Sequence, residues 1–271
     1  MFDQNLHTHG TFGDGKDPYE NTIQVAIKLG FSAIGFSEHA HVDFSPLYCM
    51  TKENTPLYKA EIRRLQKKYA DQIDVFCGLE YDLFSDDDCE GYDYIIGSVH
   101  GLELDGQIFP FDRNAEFVRS LIDTQFQGDG LRFAKKYYET LPLLNQNSKI
   151  DIVGHLDIIT KNCELAPLFD WQGKQYQKYA LEATHALAEK FKIFEVNTGA
   201  ISRGYRTTPY PADFILKELK TLGCHVTISS DCHDNRYLDS HFPQTVELIK
   251  SCGFTEVAVL TKKGFVLRPI D

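Results

Sequence analysis

Histidines and carboxylates recur in this chain at spacings that suit shared metal ions. His7-Thr8-His9 sets two imidazoles two residues apart, and in an extended segment residues i and i+2 face the same way, so both rings reach one ion. Asp231-Cys232-His233 has the same spacing, after Ser229-Ser230, small residues where a strand has to end tightly. Between these pairs lie Glu38-His39, Glu80, His100 and His155. Singly, each is ordinary: a turn histidine, a solvated carboxylate, a hydrogen-bonded core histidine. They gain meaning from position, because each follows a short apolar, β-branched run. Imidazole and carboxylate without thiolate suits Zn²⁺, Mn²⁺ or Fe rather than Cu(I) or a four-thiolate zinc site.

Those apolar runs read as strands over residues 2–6, 31–36, 73–79, 94–99, 150–154, 193–196 and 225–229. Helical patterns intervene over 21–29, 57–69, 131–141, 176–190 and 212–222, and the segments 245–251 and 257–260 close the chain. Alternating strands and helices imply a parallel sheet, and seven or eight units suit a closed α/β barrel better than an open doubly wound sheet, which is the alternative fold. In a barrel the carboxyl ends of the strands converge on one face, where active sites are built. The mixed stretch 100–130 reads as a lid or subsite loop.

The length of 271 residues, without linker, repeat or low-complexity segment, indicates one domain spanning residues 1–271. Lys and Arg number 28 against 39 Asp and Glu, a net charge of −11 with no basic run, which argues against nucleic acid or anionic membrane as partner but not against a small anionic substrate. No leader pattern or long apolar stretch is present, so the expected location is the cytoplasm. The seven cysteines form no Cys-x-x-Cys pair and read as reduced, buried small hydrophobes. Oligomeric state has no signal in the sequence.

The loop Gly10-Thr11-Phe12-Gly13-Asp14-Gly15-Lys16-Asp17 nearly fits the nucleotide-binding pattern G-x-x-x-x-G-K-[ST]. Asp17 stands where a hydroxyl should hold Mg²⁺, and Asp14 would set a second carboxylate in the anion cradle. A metal-ligand role for Asp14 is the better reading.

With His7-Thr8-His9, Gly13-Asp14-Gly15, Ser37-Glu38-His39, Gly78-Leu79-Glu80, Ser98-Val99-His100, Gly154-His155-Leu156-Asp157, Glu195-Val196-Asn197-Thr198 and Ser229-Ser230-Asp231-Cys232-His233 in this order, the sequence resembles the PHP (polymerase and histidinol phosphatase) family. Within it, the Asn197-Thr198 and Pro209-Tyr210-Pro211 regions resemble the stand-alone histidinol-phosphatases. The resemblance implies a distorted (βα)7 TIM-like barrel with three divalent ions. One takes His7, His9, Glu80 and Asp231, a second Glu80, His100 and His155, and a third Asp14, His39 and His233, so that Glu80 bridges two ions. It also implies two phosphate-gripping arginines; here the cations in those regions are Lys161 and Arg203, and Lys is a point charge where Arg offers a bidentate fork.

The implied activity is hydrolysis of L-histidinol phosphate, a phosphate monoester, by attack of a metal-bridging hydroxide. Glu80, Asp231 and His233 are the catalytic candidates, Lys161 and Arg203 would neutralise phosphate charge, and a coordinated water or a nearby His or Asp would protonate the leaving alkoxide. The alternatives are a PHP-type enzyme acting on a nucleotide, a phosphotyrosyl protein or a nucleic-acid end, and a P-loop nucleotide-binding protein.

Overall fold

The structure, a computed structural model, describes residues 2–270. In chain order its elements are β1 (Gln4–Asn5), α1 (Tyr19–Lys28), β2 (Ala33–His39), α2 (Asn54–Lys68), β3 (Asp74–Asp82), β4 (Tyr94–Ser98), β5 (Gly101–Leu104), β6 (Gln107–Pro110), α3 (Ala115–Gln125), α4 (Gly130–Thr140), β7 (Ile152–Val153), α5 (Lys174–Ala188), β8 (Ile193–Asn197), α6 (Gly199–Ser202), α7 (Asp213–Thr221), β9 (His225–Ser229), α8 (Phe242–Ser251), β10 (Glu256–Thr261) and β11 (Gly264–Pro269). Seven strands pair in parallel in the order β1-β2-β3-β4-β7-β8-β9. The ring closes between the segments that leave β1 and β9: His9 N donates to Cys232 O at 2.8 Å and Cys232 N to His7 O at 3.1 Å. The sheet is therefore a nearly closed barrel, and its closing seam carries two of the His/Asp motifs.

Strand alternation sorts the side chains. On β3, Val75, Cys77 and Leu79 join the core between barrel and helices, while Phe76 joins the barrel interior with Leu6, Ala33, Tyr94, Ile96 and Ile152. Glu80 and Asp82 continue the inward row. Tyr94 fills the barrel centre because Gly78 gives it room; a Cβ there would lie 2.2 Å from the ring. Helices follow from local rules: on α1, Ile23 and Ala26 are fully buried, and the chain breaks at Gly30, whose φ is 78°.

Two differences from the sequence reading have physical causes. β2 runs on to His39 rather than ending near residue 36, since the polar Ser37-Glu38-His39 keeps its ladder with β3 and pairs His39 with Glu80. The segment at 257–260, read only as closing the chain, lies outside the barrel sheet. It belongs to β10, which pairs antiparallel with β11, a strand the reading did not contain, and Leu260 enters the amino-terminal mouth of the barrel. There Gln4 Nε2 donates to Leu260 O and Leu260 N to Gln4 Oε1, both at 2.8 Å. Among the described residues no helix is long and apolar enough to cross a membrane.

Candidate metal centre

Each barrel strand except β8 delivers a metal-capable side chain to the carboxyl mouth, and the Gly-rich loop adds Asp14. Glu80 is the hub. Its Oε1 lies 2.9 Å from His155 Nε2 and 3.3 Å from His100 Nε2, and its Oε2 lies 2.7 Å from His39 Nδ1, 3.2 Å from His7 Nε2 and 3.6 Å from His9 Nε2. Asp231 Oδ1 is 3.3 Å from His9 Nε2 and 3.4 Å from His233 Nδ1, and Asp14 Oδ1 is 3.1 Å from His233 Nε2. Asp231 sits in the left-handed region with φ 47°, uncommon for a residue with a side chain, at the turn where the chain leaves β9.

Donor atoms lying within 4.8 Å of one another form four groups: His9, Asp14, His39 and His233; His7, Glu80 and His155; His7, His9 and Asp231; and His39, Glu80 and His100. The expected nine ligands thus come together, divided slightly differently. His9 joins the Asp14 group, and His100 and His155 approach Glu80 in separate groups.

Hydrogen bonding within the protein leaves these donors unused. Among the described residues, His7 Nε2, both ring nitrogens of His9, Asp14 Oδ1 and Glu80 Oε2 are buried and, although they lie close to one another's groups, make no hydrogen bond of proper geometry. Each such atom costs about 1–3 kcal/mol when nothing meets it. Five in one cluster are a poor way to build a core and a good way to build a cation site. The opposite ring nitrogens are held: Glu195 Oε1 is 2.5 Å from His7 Nδ1, Asp82 Oδ2 is 3.1 Å from His100 Nδ1, and the Asp231 carbonyl oxygen is 2.9 Å from His233 Nδ1. Fixing one nitrogen as a donor leaves the other's lone pair facing the cluster. The residues present fit a polynuclear divalent-metal site.

The electrostatics agree. Burial works to lower the His7 pKa, but the Glu195, Glu80 and Asp231 carboxylates outweigh it and raise it well above the ordinary value. Burial also opposes the rise at His9, which Asp231 and Glu38 push up to about 10. Burial would raise Glu80 and Asp231, yet both are held well below the usual carboxylate range, Glu80 by His39, His7 and His100, and Asp231 by Arg203 and His7. The carboxylates favour positive charge at this spot, which a divalent ion held by these residues would supply in place of the imidazole protons.

Beside the cluster opens a pocket of about 300 Å³ lined by His39, His100, His155, His233, Lys161 and Arg203, among others. Arg203 Nη2 donates to Asp231 Oδ2 at 2.9 Å and Nη1 to the Asp231 carbonyl oxygen at 3.0 Å. Lys161 Nζ donates to Asp112 Oδ1 at 2.7 Å and lies 4.6 Å from the Tyr205 ring centroid. Burial tends to raise the Asp112 carboxyl, but Lys161 dominates and holds it at about 2. The segment at 100–130 enters the pocket wall through Pro110, Asp112 and Arg113, after the β5–β6 hairpin.

Sequence reasoning missed the orienting carboxylates. Glu195 accepts from the His155 backbone at 2.7 Å, and from the Ser229 hydroxyl, as well as holding His7. Its signal was an acid inside the apolar run Ile193-Phe194-Glu195-Val196. Asp82 lies two residues beyond Glu80 on the same face of β3. Asp112, in irregular chain, had no signal.

The Gly10–Asp17 loop is no phosphate cradle. Gly13 N and Gly15 N donate to Gly10 O, and Lys16 N donates to His233 O at 2.9 Å, so these amides are already used. A Cβ on Gly13 would lie 2.1 Å from Glu38 Oε2, which explains the glycine by packing. His41 and His241 lie outside the pocket, and all seven cysteines are free and buried.

A nearly closed parallel barrel with a buried, under-bonded His/Asp/Glu cluster at its carboxyl mouth defines the class: an α/β barrel whose mouth residues could hold divalent metal. The PHP domain model matches residues 3–199, and the chain belongs to the PHP domain family. The matched span stops short of β9, which completes the barrel and brings Asp231 and His233 to the cluster. The chain is 27% identical over 271 residues to the histidinol-phosphatase of Lactococcus lactis, covering 96% of this chain and 94% of that one. A crystal structure of Lactococcus lactis histidinol phosphate phosphatase, complexed with Zn, L-histidinol and phosphate, has a TM-score of 0.73 at 22% identity, over 97% of this chain and 98% of that one. HisK from Listeria monocytogenes has a TM-score of 0.79 at 20% identity, over 89% of this chain and 99% of that one. These structures share the fold.

Proposed function

We propose that this chain is a histidinol-phosphatase, hydrolysing L-histidinol phosphate to L-histidinol and phosphate with three divalent ions, and that residues 1–271 act as one domain. The observation that carries the reading is the set of unpartnered buried donors opening onto a pocket walled by Lys161 and Arg203; the name shared by the matched relatives selects the substrate.

His7, His9, Glu80 and Asp231 would hold one ion, Glu80, His100 and His155 a second, and Asp14, His39 and His233 a third, with His9 near enough to the last group to share it. When bound, such ions polarise phosphoryl oxygens and lower the pKa of a coordinated water. The chain supplies the rest. Glu195 and Asp82 fix the rings of His7 and His100. Arg203, anchored on Asp231, and Lys161 receive the phosphate oxygens and offset their charge. The non-polar wall, including Val42, Phe44 and Ile158, covers the organic half of the substrate. A coordinated water, or a neighbouring His or Asp such as His233 or Asp231, would give the leaving alkoxide its proton.

Elemental analysis beside a phosphate-release panel tests the reading. Three ions per chain and selective release from L-histidinol phosphate, over an aryl phosphate, a nucleotide, a phosphotyrosyl peptide and an oligonucleotide, is the expected result. No bound ion, or equal release from all substrates, overturns it.

A further inference from the structure

Pocket carboxylates other than Asp112 are already committed. Asp14 and Asp231 belong to the metal cluster, Asp82 holds His100, and Asp234 pairs with Arg236 at 2.6 Å. Among the described residues Asp112 pairs only with Lys161, at 2.7 Å, and its side chain keeps 31% of its surface exposed in the pocket wall. It comes from the turn between β6 and α3, and it touches no cluster donor within ion-pair distance.

Resting on the function proposed above, the substrate is a zwitterion at neutral pH, with an ammonium on the second carbon from the ester oxygen. The Lys161–Asp112 pair presents the complementary charges side by side. A dianionic phosphate is a stronger partner for the Lys161 ammonium than a single carboxylate. Moving Lys161 onto it would strip Asp112 of its partner and leave an ionised carboxylate facing the pocket, which is unfavourable unless a second cation arrives. The substrate carries that cation a few bonds from its phosphate. We propose that Asp112 is a specificity-determining residue: substrate binding exchanges the internal Lys161–Asp112 pair for two intermolecular ones, Lys161 to phosphate and Asp112 to the substrate's ammonium.

The exchange predicts discrimination, not merely affinity. A monoester without an amine takes Lys161 and leaves Asp112 unpaired, so it is penalised; one with a correctly spaced amine is not. The metal-loaded enzyme should be assayed with L-histidinol phosphate and with its des-amino analogue, imidazolylpropyl phosphate. Wild type should favour the amine-bearing ester in kcat/KM by roughly ten- to a hundredfold, the range of one charge-assisted hydrogen bond. In Asp112→Asn, which keeps shape and removes charge, that preference should collapse to within about threefold, mostly through a higher KM for L-histidinol phosphate. Calorimetry supplies a readout apart from turnover: Asp112→Asn should weaken binding of L-histidinol and leave binding of inorganic phosphate unchanged or tighter. If Asp112 only props Lys161, both esters and inorganic phosphate suffer alike, and the inference is overturned. Wild-type turnover of L-histidinol phosphate with an unchanged preference in the variant sinks this inference alone, whereas no wild-type turnover sinks the proposed function and this with it.

Discussion

The two mouths of the barrel are built from the same seven strands and treat polar atoms in opposite ways. At the amino-terminal mouth the β10–β11 hairpin inserts Leu260, 5% exposed, and the buried Gln4 side chain is paired reciprocally with the Leu260 backbone. At the carboxyl mouth His7, His9 and Glu80 are as deeply buried, yet His7 Nε2, His9 Nδ1 and Nε2 and Glu80 Oε2 meet no hydrogen-bond partner. Burial alone does not separate structure from function here. What separates them is whether buried polar atoms have been satisfied.

The sharpest way to break this comparison is at Glu80. Glu80→Gln should lower kcat by on the order of 10³-fold, since it removes negative charge shared by every donor group around it, and bound metal measured by elemental analysis should fall with it. Near-normal turnover with full metal content would show that the unpartnered atoms do not form the working site. Metal removal from wild type should likewise abolish turnover and lower Tm; ions bound at a thousandfold over their Kd contribute about 4 kcal/mol to stability. At the other mouth Leu260→Ala should do the reverse. It should cost about 2–5 kcal/mol as a cavity in the barrel floor, seen as a lower denaturation midpoint, with kcat/KM of the folded protein unchanged.

The same contrast explains what could be read from the sequence. Metal-capable residues at strand ends were legible because a strand end is marked twice, by the stop of an apolar run and by the polar residue that follows; His100 after Tyr94–Ser98 and Asp231 after His225–Ser229 are examples. The plug was not. Phe265-Val266-Leu267 is partly exposed and does not alternate cleanly, so nothing marked β11, and the role of Leu260 depends on contact with Gln4 from the far end of the chain. Glu195 lay between these cases. Its position was visible, but its role comes from His7 and His155, each delivered by a different strand, and such convergence has no local signature.

Glu195 gives an intermediate test. It is satisfied, accepting from four groups, but its partners include two of the proposed ligands, His7 and His155. Glu195→Gln keeps the shape and turns one acceptor into a donor facing His7 Nδ1. Metal affinity or turnover should fall by roughly 10–100-fold, the usual effect of removing a carboxylate behind a ligating histidine. Unchanged metal affinity, measured by competition with a chelator, would place Glu195 with the structural polar groups of the lower mouth.

The smallest expected effect comes from Lys16, which lines the functional mouth without belonging to its chemistry. Its Nζ lies 3.3 Å from Asp234, and the side chain is 69% exposed, so the pair is screened and contributes little. Its backbone amide is committed to His233 O. Lys16→Ala should change kcat/KM by less than about twofold and stability by less than about 0.5 kcal/mol. A P-loop protein would respond differently, since there the lysine reaches the nucleotide phosphates. Tight ATP binding lost in Lys16→Ala but kept when His7 and His9 are replaced would move the functional centre from the barrel axis to the Gly10–Asp17 loop. Position at the carboxyl mouth is then not sufficient for function: Lys16 shares the rim with His233 but is solvated and lies outside the donor groups, so Lys16→Ala should leave bound metal unchanged.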